Sequence, residues 1–460
     1  MTLAGLPEDT IVAIATAPGQ GGVGIVRLSG PRTFDIAAQL TAGTSLVPRY
    51  VTRINVYDIN HDLLDDGLAV AFPGPHWFTG EDVVELHCHG GPVLLDLVVQ
   101  AACHAGARVA MAGEFSQRAF LNDKIDLAQA EAIADLISSS TAAAARNATR
   151  SLTGVFSAKI NDLVDAVIRL RVYVEASMDF PEEEVDFLTE GDVDARLVNL
   201  LQRMDAVTTA ARQGSRIREG MNLVIAGAPN AGKSSLLNRL AGKDSAIVTD
   251  IPGTTRDLLR EDIDIDGLPL HIVDTAGLRD GADTVEQEGI RRALAEISEA
   301  DRVLLVVDDS ALTDRVESDA LWPAGIPSPP GETVITLIRN KCDLSYRAPG
   351  INETENGTEV TLCARSGAGM EALREHLRQI AGLDASATET LFSARRRHLD
   401  SLQRARHYLA TALDQLRNSG AGELVAEDLR CCQENLGDIT GRVTSDQLLG
   451  EIFGSFCIGK

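Results

Sequence analysis

The stretch from Asn222 to Leu240 constrains the fold more than any other part of the chain. A short apolar run, Asn222 to Ala226, is followed by Gly227-Ala228-Pro229-Asn230-Ala231-Gly232-Lys233-Ser234 and then by the helical pattern Ser235-Leu236-Leu237-Asn238-Arg239-Leu240. In the spacing GxxxxGKS between a strand and a helix, glycines let successive backbone N–H groups turn inward at a helix N-terminus. The positive end of the helix favours phosphate oxygens there. Further apolar runs at Leu270–Asp274, Arg302–Asp308, Thr333–Arg339 and Glu359–Leu362 are separated by helical stretches. Strands alternating with helices in this way predict a parallel sheet.

The flanks have different textures. Up to about residue 120, strands are expected at Ile11–Ala15, Gly24–Leu28, Leu68–Phe72 and Val83–His87, with a helix over Pro92–Ala105 and turns at Gly19-Gln20-Gly21-Gly22 and Pro73-Gly74-Pro75. This is an α+β pattern. From about Asp126 to Gly214 the chain is nearly free of glycine, and Leu163, Val167, Leu170 and Val174 recur at helical spacing. Pro181, inside the acidic run Asp179–Glu184, is expected to end one of these helices. Helical texture returns in Arg395–Leu416, Ala426–Leu436 and Asp446–Phe453. The economical arrangement is a doubly wound domain inserted between two halves of one helical domain. At roughly 150 residues per domain, 460 residues accommodate about three.

Composition narrows the class. A hydrophobic fraction of 44% with 24% charged residues is that of a globular chain. The longest aliphatic stretches, such as Val303 to Val307, fall far short of the ~18 residues of a membrane span. The first basic residue is Arg27, which argues against a secretory signal, and the seven cysteines lack CxxC spacing; both favour the cytoplasm. With 42 Lys+Arg against 67 Asp+Glu the net charge is −25, which disfavours broad electrostatic binding of nucleic acid while leaving a local groove or a basic partner open.

Four motifs in order predict a guanine-nucleotide site. Lys233 is expected at the β/γ-phosphates and the Ser234 hydroxyl on Mg²⁺, with Asn230, Ala231, Gly232 and Ser235 completing the loop. Asp274-Thr275-Ala276-Gly277 ends the next apolar strand, where an Asp holds Mg²⁺ through water and the Gly N–H senses the γ-phosphate. Between them, Gly253-Thr254-Thr255-Arg256-Asp257 is a polar loop able to donate a second Mg²⁺ hydroxyl, and Thr249-Asp250-Ile251-Pro252 before it are expected at the nucleotide too. In Asn340-Lys341-Cys342-Asp343, the Asp343 carboxylate suits the N1–H and N2–H₂ donors of guanine, and adenine has no such pair. Cys363-Ala364-Arg365 offers a backbone N–H to O6. Where a Ras-type site has a water-orienting Gln, this chain has Leu278, so another group must place the water; Asp280, Asp283, Glu286 and Glu288 are the candidates. His87-Cys88-His89 offers two imidazoles without a third ligand, too few for a metal site.

The whole chain resembles the MnmE (TrmE) family of tRNA modification GTPases. The resemblance is carried by Gly21–Gly30, Phe78–Asp82, His89–Pro92, Gly113–Ser116, Ala119–Glu131, the Gly253–Asp257 loop and the terminal Cys457-Ile458-Gly459-Lys460. It implies a multi-domain α/β architecture: an N-terminal α+β folate-binding-like and dimerisation domain (1–124), a helical domain in two parts (125–219 and 385–460), and an inserted Ras-like doubly wound G domain (220–384). It also implies a cytoplasmic homodimer that joins a flavin-dependent MnmG/GidA-type partner in a heterotetramer, meets tRNA through that complex, and adds a carboxymethylaminomethyl group to C5 of the wobble uridine. A 5-formyltetrahydrofolate-type cofactor would be held by Arg27, Glu85, Lys124 and Lys460, with Glu81 as the rival to Glu85. GTP hydrolysis would be potassium-dependent, with K⁺ held by Asn230, Thr249, Ile251 and Thr254, Mg²⁺ by Ser234 and Thr255, and Glu286 as the catalytic glutamate. A regulatory switch GTPase and a folate enzyme with a regulatory G domain are the alternatives.

Overall fold

The computed structural model describes residues 9–179, 192–242, 260–274, 300–312, 322, 334–354, 357–381, 391–442, 446–454, 456 and 459. The chain divides into two compact units. One comprises Met1–Ala134, Ser157–Val172 and Leu429–Lys460, the other Asp135–Phe156 and Tyr173–Asp428.

The first unit is built on β1 (Ile11–Ile14), β2 (Gly21–Ser29), β3 (Thr52–Tyr57), β4 (Leu63–Phe72), β5 (Val83–Gly90) and β6 (Arg108–Val109). The sheet order is β3-β4-β5-β2-β1-β6, antiparallel except where β1 meets β6. Strand alternation sends Val26, Leu28, Val84 and Leu86 to one face. They pack there against Ile36 and Leu40 of α1 (Thr33–Leu40) and Leu95 and Val98 of α2 (Pro92–His104). The opposite face carries Ile11 and Ala13 under Phe115 of α3 (Glu114–Leu121), and also Arg27, Ser29 and Glu85. The expected turn at Gly19–Gly22 is corrected in part, since Gly21 and Gly22 open β2. Gly21 pairs with Gly90, and a Cβ on Gly90 would sit 2.6 Å from the Gly21 carbonyl, so these glycines permit close strand pairing rather than a reversal.

In chain order there follow α4 (Leu127–Ser138), α5 (Ala142–Leu152), α6 (Val155–Asp179) and α7 (Val193–Glu219). Helix α6 is described as far as Asp179, and Pro181, expected to end a helix, lies outside the described residues. The second sheet uses β7 (Met221–Gly227), β8 (Arg260–Ile265), β9 (Leu268–Asp274), β10 (Arg302–Asp308), β11 (Ile335–Asn340), β12 (Gly350–Thr354) and β13 (Gly357–Thr361), in the order β12-β13-β11-β10-β7-β9-β8. The five strands expected from the sequence form its parallel centre, and β8 and β12 add antiparallel edges. Helices α8 (Lys233–Leu240) and α10 (Met370–Ile380) cover one face through Leu236, Leu240, Leu373 and Leu377, while Val224, Val303 and Leu305 face the other way. A one-turn α9 (Cys342–Ser345) precedes β12. Helix α11 (Arg396–Ser419) packs along α7, and the ion pairs Asp194–Arg417 and Asp205–Arg406 show that the two run antiparallel. In α7, a Cβ on Gly214 would lie 1.8 Å from the Phe392 carbonyl, which explains a glycine inside a helix. After α12 (Gly422–Thr440), α13 (Asp446–Gly454) places Leu449, Ile452 and Phe453 against Leu127 and Ala130. No described helix is long and apolar enough to cross a bilayer.

Candidate guanine-nucleotide site

Strand β7 lies between β9 and β10, so the connections leaving the carboxyl ends of these strands diverge beside it. Such a switch point opens a crevice, and ligands of open parallel sheets bind there. At the end of β7, Gly227 has φ +155°, and a Cβ would stand 2.2 Å from the Val306 carbonyl of β10, so only glycine lets the chain leave the sheet here. Asn230 and Gly232 are left-handed, at φ +63° and +98°. These turns wrap the loop around Lys233, which is 8% exposed and donates from Nζ to the Gly227 carbonyl at 2.8 Å and to the Ala228 carbonyl at 3.0 Å. The first intrahelical bond of α8 runs from Leu236 N–H to Gly232 C=O at 2.9 Å. The N–H groups of Lys233, Ser234 and Ser235 therefore point out of the helix start without an intrahelical acceptor, as an oxyanion requires. Asn230, Ser234 and Ser235 are exposed at its mouth, and Ala231 is buried.

Asn340, at the end of β11 and 3% exposed, joins two loops. Its Nδ2 donates to the Ala231 carbonyl at 2.8 Å, and its Oδ1 accepts from Ala364 N–H at 3.0 Å. Asn340 thus ties the loop after β7 to the loop after β13. Cys363 is buried and its N–H bonds to the Ala368 carbonyl at 2.8 Å; Arg365 is exposed. Lys341 is left-handed at φ +64° and its ammonium reaches Asp308 Oδ2 at 2.6 Å. Burial pushes the Asp308 carboxyl up, but the Lys341 and Ser310 hydrogen bonds outweigh that and hold it below the usual range. Asp343 is exposed on α9 and makes no hydrogen bond among the described residues. The backbone of Asp274 ends β9 beside Ile225 of β7. Thr249 to Thr255, Thr275 to Gly277 and Glu286 lie outside the described residues.

In the first sheet Arg27 and Glu85 face each other across β2 and β5, with Arg27 Nε 2.9 Å from Glu85 Oε1. His87 Nε2 is 3.4 Å from Glu85 Oε2, and the guanidinium of Arg27 lies 5.7 Å from the Phe115 ring centre. Lys124 is exposed, and no hydrogen bond or ion pair among the described residues joins it to this pair. Cys457 and Lys460 lie outside the described residues. Glu81, the rival to Glu85, is held by Ser29 at 2.6 Å and by Arg118 at 3.1 Å. Arg118 is 1% exposed and also binds Asp9 at 2.7 Å and Glu114 at 3.0 Å. Sequence inspection missed this hub because its members are scattered from position 9 to 118 and no local spacing shows that they converge. His87, Cys88 and His89 do not converge: Cys88 is buried, its thiol pushed up to about 12 by that burial, whereas His89 pairs with Asp65. No cluster of three metal-binding side chains occurs among the described residues.

Comparisons with known proteins identify the family. Residues 10–124 match the family model described as GTP-binding protein TrmE N-terminus, and residues 127–457 match the one described as MnmE helical domain. A Stutzerimonas stutzeri protein named tRNA modification GTPase MnmE is 57% identical over 454 residues, covering 98% of this chain and 99% of its own. A Marinobacter nauticus protein of the same name is 56% identical, again over 98% and 99%. The solved G domain of the T. maritima FeoB iron transporter covers 35% of this chain and 98% of its own at 24% identity, with a TM-score of 0.26, too low to bear on the fold. With identity above half along nearly its full length and both segment models matched, this chain belongs to the MnmE/TrmE family.

Proposed function

We propose that the chain is a GTP-hydrolysing enzyme of tRNA modification. With a flavin-dependent MnmG/GidA-type partner it would add a carboxymethylaminomethyl group to C5 of the wobble uridine at position 34. The observation that supports this most is the meeting of Lys233, Asn340 and the Ala364 amide at the carboxyl ends of β7, β11 and β13. Lys233 binds and orients the β/γ-phosphates, the N–H groups opening α8 hold their oxygens, and Asp343 selects guanine. The exposed Ser234 hydroxyl at that helix start suits Mg²⁺, with Thr255, and the metal would neutralise charge on the β- and γ-oxygens. The exposed Asn230 amide suits K⁺, with Thr249, Ile251 and Thr254, and the ion would supply the charge stabilisation that an arginine finger gives elsewhere. Glu286 takes the water-positioning role that Leu278 cannot. Arg27 and Glu85, a partly exposed cation and carboxylate side by side, suit the carboxylates and the pterin N–H groups of a formyl-tetrahydrofolate, which would serve as one-carbon source. Lys124 and Lys460 complete that set in this reading, and dimerisation through the first domain goes with it.

Two outcomes test the proposal. GTP turnover by the purified chain rises on the order of 10²-fold in KCl relative to NaCl, and Asn230→Ala flattens the response. Equal rates in the two salts defeat the ion assignment. In a deletion strain, mass spectrometry of tRNA finds the wobble uridines without the carboxymethylaminomethyl group, and the wild-type gene restores it; unchanged modification removes the tRNA role.

A further inference from the structure

Resting on the guanine reading above, we infer that Asp309 is a positioning residue for base recognition, orienting α9 so that Asp343 meets guanine. Helix α9 is a single turn, flanked by left-handed Lys341 at φ +64° and Tyr346 at φ +59°. One turn has no cooperative stability of its own, so neighbouring contacts must fix its direction. Two adjacent carboxylates at the end of β10 do this. Asp308 holds the start of α9 through Lys341 at 2.6 Å. Asp309, whose side chain is fully buried, holds its end: Oδ2 accepts from the hydroxyl of Ser345, the last residue of α9, and from Arg347 Nε at 3.2 Å. The other oxygen, Oδ1, takes Arg339 Nη1 at 3.0 Å, and Arg339 reaches Glu359 of β13 with Nε at 2.7 Å. The network therefore links α9 to the strand that leads into Cys363-Ala364-Arg365, the other guanine-facing loop.

A carboxylate without solvent is costly to bury and persists where its partners need it. An apolar side chain would fill the volume beyond the carboxyl end of β10, but it would leave the end of α9 unanchored. Asp343 lies two residues before Ser345, so a rotation of α9 about its start moves that carboxylate directly.

Affinities of the full chain for guanosine, inosine and adenosine diphosphates test this. Inosine lacks the exocyclic amine that Asp343 reads, so the guanosine-to-inosine preference reports how well Asp343 is aimed. Asp309→Asn is expected to cut that preference about tenfold, chiefly by weakening guanosine diphosphate. A purely structural role weakens both nucleotides alike, and an unchanged preference overturns the inference. Ser345→Ala removes one hydroxyl only and is expected to cut the preference about two- to threefold. If Asp309→Asn does not fold, an unchanged preference in Ser345→Ala overturns it. A wild-type chain that prefers guanosine no more than adenosine diphosphate defeats the guanine reading itself, which is a separate failure.

Discussion

Replacing Lys233 by alanine lowers kcat/KM for GTP hydrolysis by about 10²–10³-fold, the loss that follows removal of one preorganised charge-stabilising donor. The magnitude comes from location. Lys233 is 8% exposed, its ammonium cradled by the Gly227 and Ala228 carbonyls, so its charge acts where water screens it little. Arginine does not rescue the loss, because a planar guanidinium does not fit a cradle spanned by two carbonyls of the same turn. Stability falls too: the Gly227 and Ala228 carbonyls lose a donor, roughly 1 kcal/mol each, and Gly227 is buried. Phosphate release measured beside circular dichroism separates the two effects. A folded Lys233→Ala chain that keeps more than a tenth of wild-type activity would overturn the assignment of Lys233 to the phosphates.

The largest expected loss of stability is in the first unit. Arg118→Met destabilises it by about 3 kcal/mol, since removing the most buried cation of an ionic cluster leaves its carboxylates only partly compensated. The carboxylates that lose a cation are Glu114 and Asp9, each left with Arg108 as its cation, and Glu81, left with the Ser29 hydroxyl. A readout exists in the chain: Trp77 stacks on Phe72 with ring centres 3.6 Å apart in this unit. In a Trp322→Phe background its fluorescence follows urea unfolding of the first unit alone. A shift below 1 kcal/mol would show that the cluster contributes little. The pH response carries the same signature. Arg108 lowers the Asp9 carboxyl by hydrogen bonding, against some burial. Burial raises Glu114, but hydrogen bonds from Arg108, Met111 N–H and Arg118 more than reverse it. Both carboxyls thus have folded-state values below their unfolded ones. Their stabilisation is complete above about pH 5 and is lost as pH falls through the depressed folded values. The wild-type unit is therefore expected to lose stability on acidification from pH 5 to 3 more steeply than Arg118→Met, because part of the attraction is already absent in the variant.

How far each element was legible followed from the range of the forces that make it. The five central strands of the second sheet were readable because strands buried on both faces run almost continuously apolar. Its edges were not: in β8 Ile263 and Ile265 are buried among alternating polar residues, and β12 is Gly-Ile-Asn-Glu-Thr. Strand β3 escaped for the same reason, with only Ile54 and Val56 facing inward. The Gly21-Gly22 pair looked like a turn because glycine serves both in reversals and in close strand pairing, and sequence alone does not separate them.

The sequence by itself marked the candidate nucleotide site, since GxxxxGKS, Asn-Lys-Cys-Asp and Cys-Ala-Arg are local spacings whose backbone consequences are set within a few residues. Family membership was likewise legible, being spread over short blocks along the chain. Only the tertiary structure decided which carboxylate does what. Glu81 and Glu85 are four residues apart and chemically alike, yet one is committed to buried Arg118 and the other faces Arg27 across the strand pair. Asp308 and Asp309 are adjacent, and one holds Lys341 while the other holds Arg339 and Ser345. The physical reason is that a carboxylate's role is fixed by which cation reaches it and how little water does, and both depend on residues brought together from distant parts of the chain.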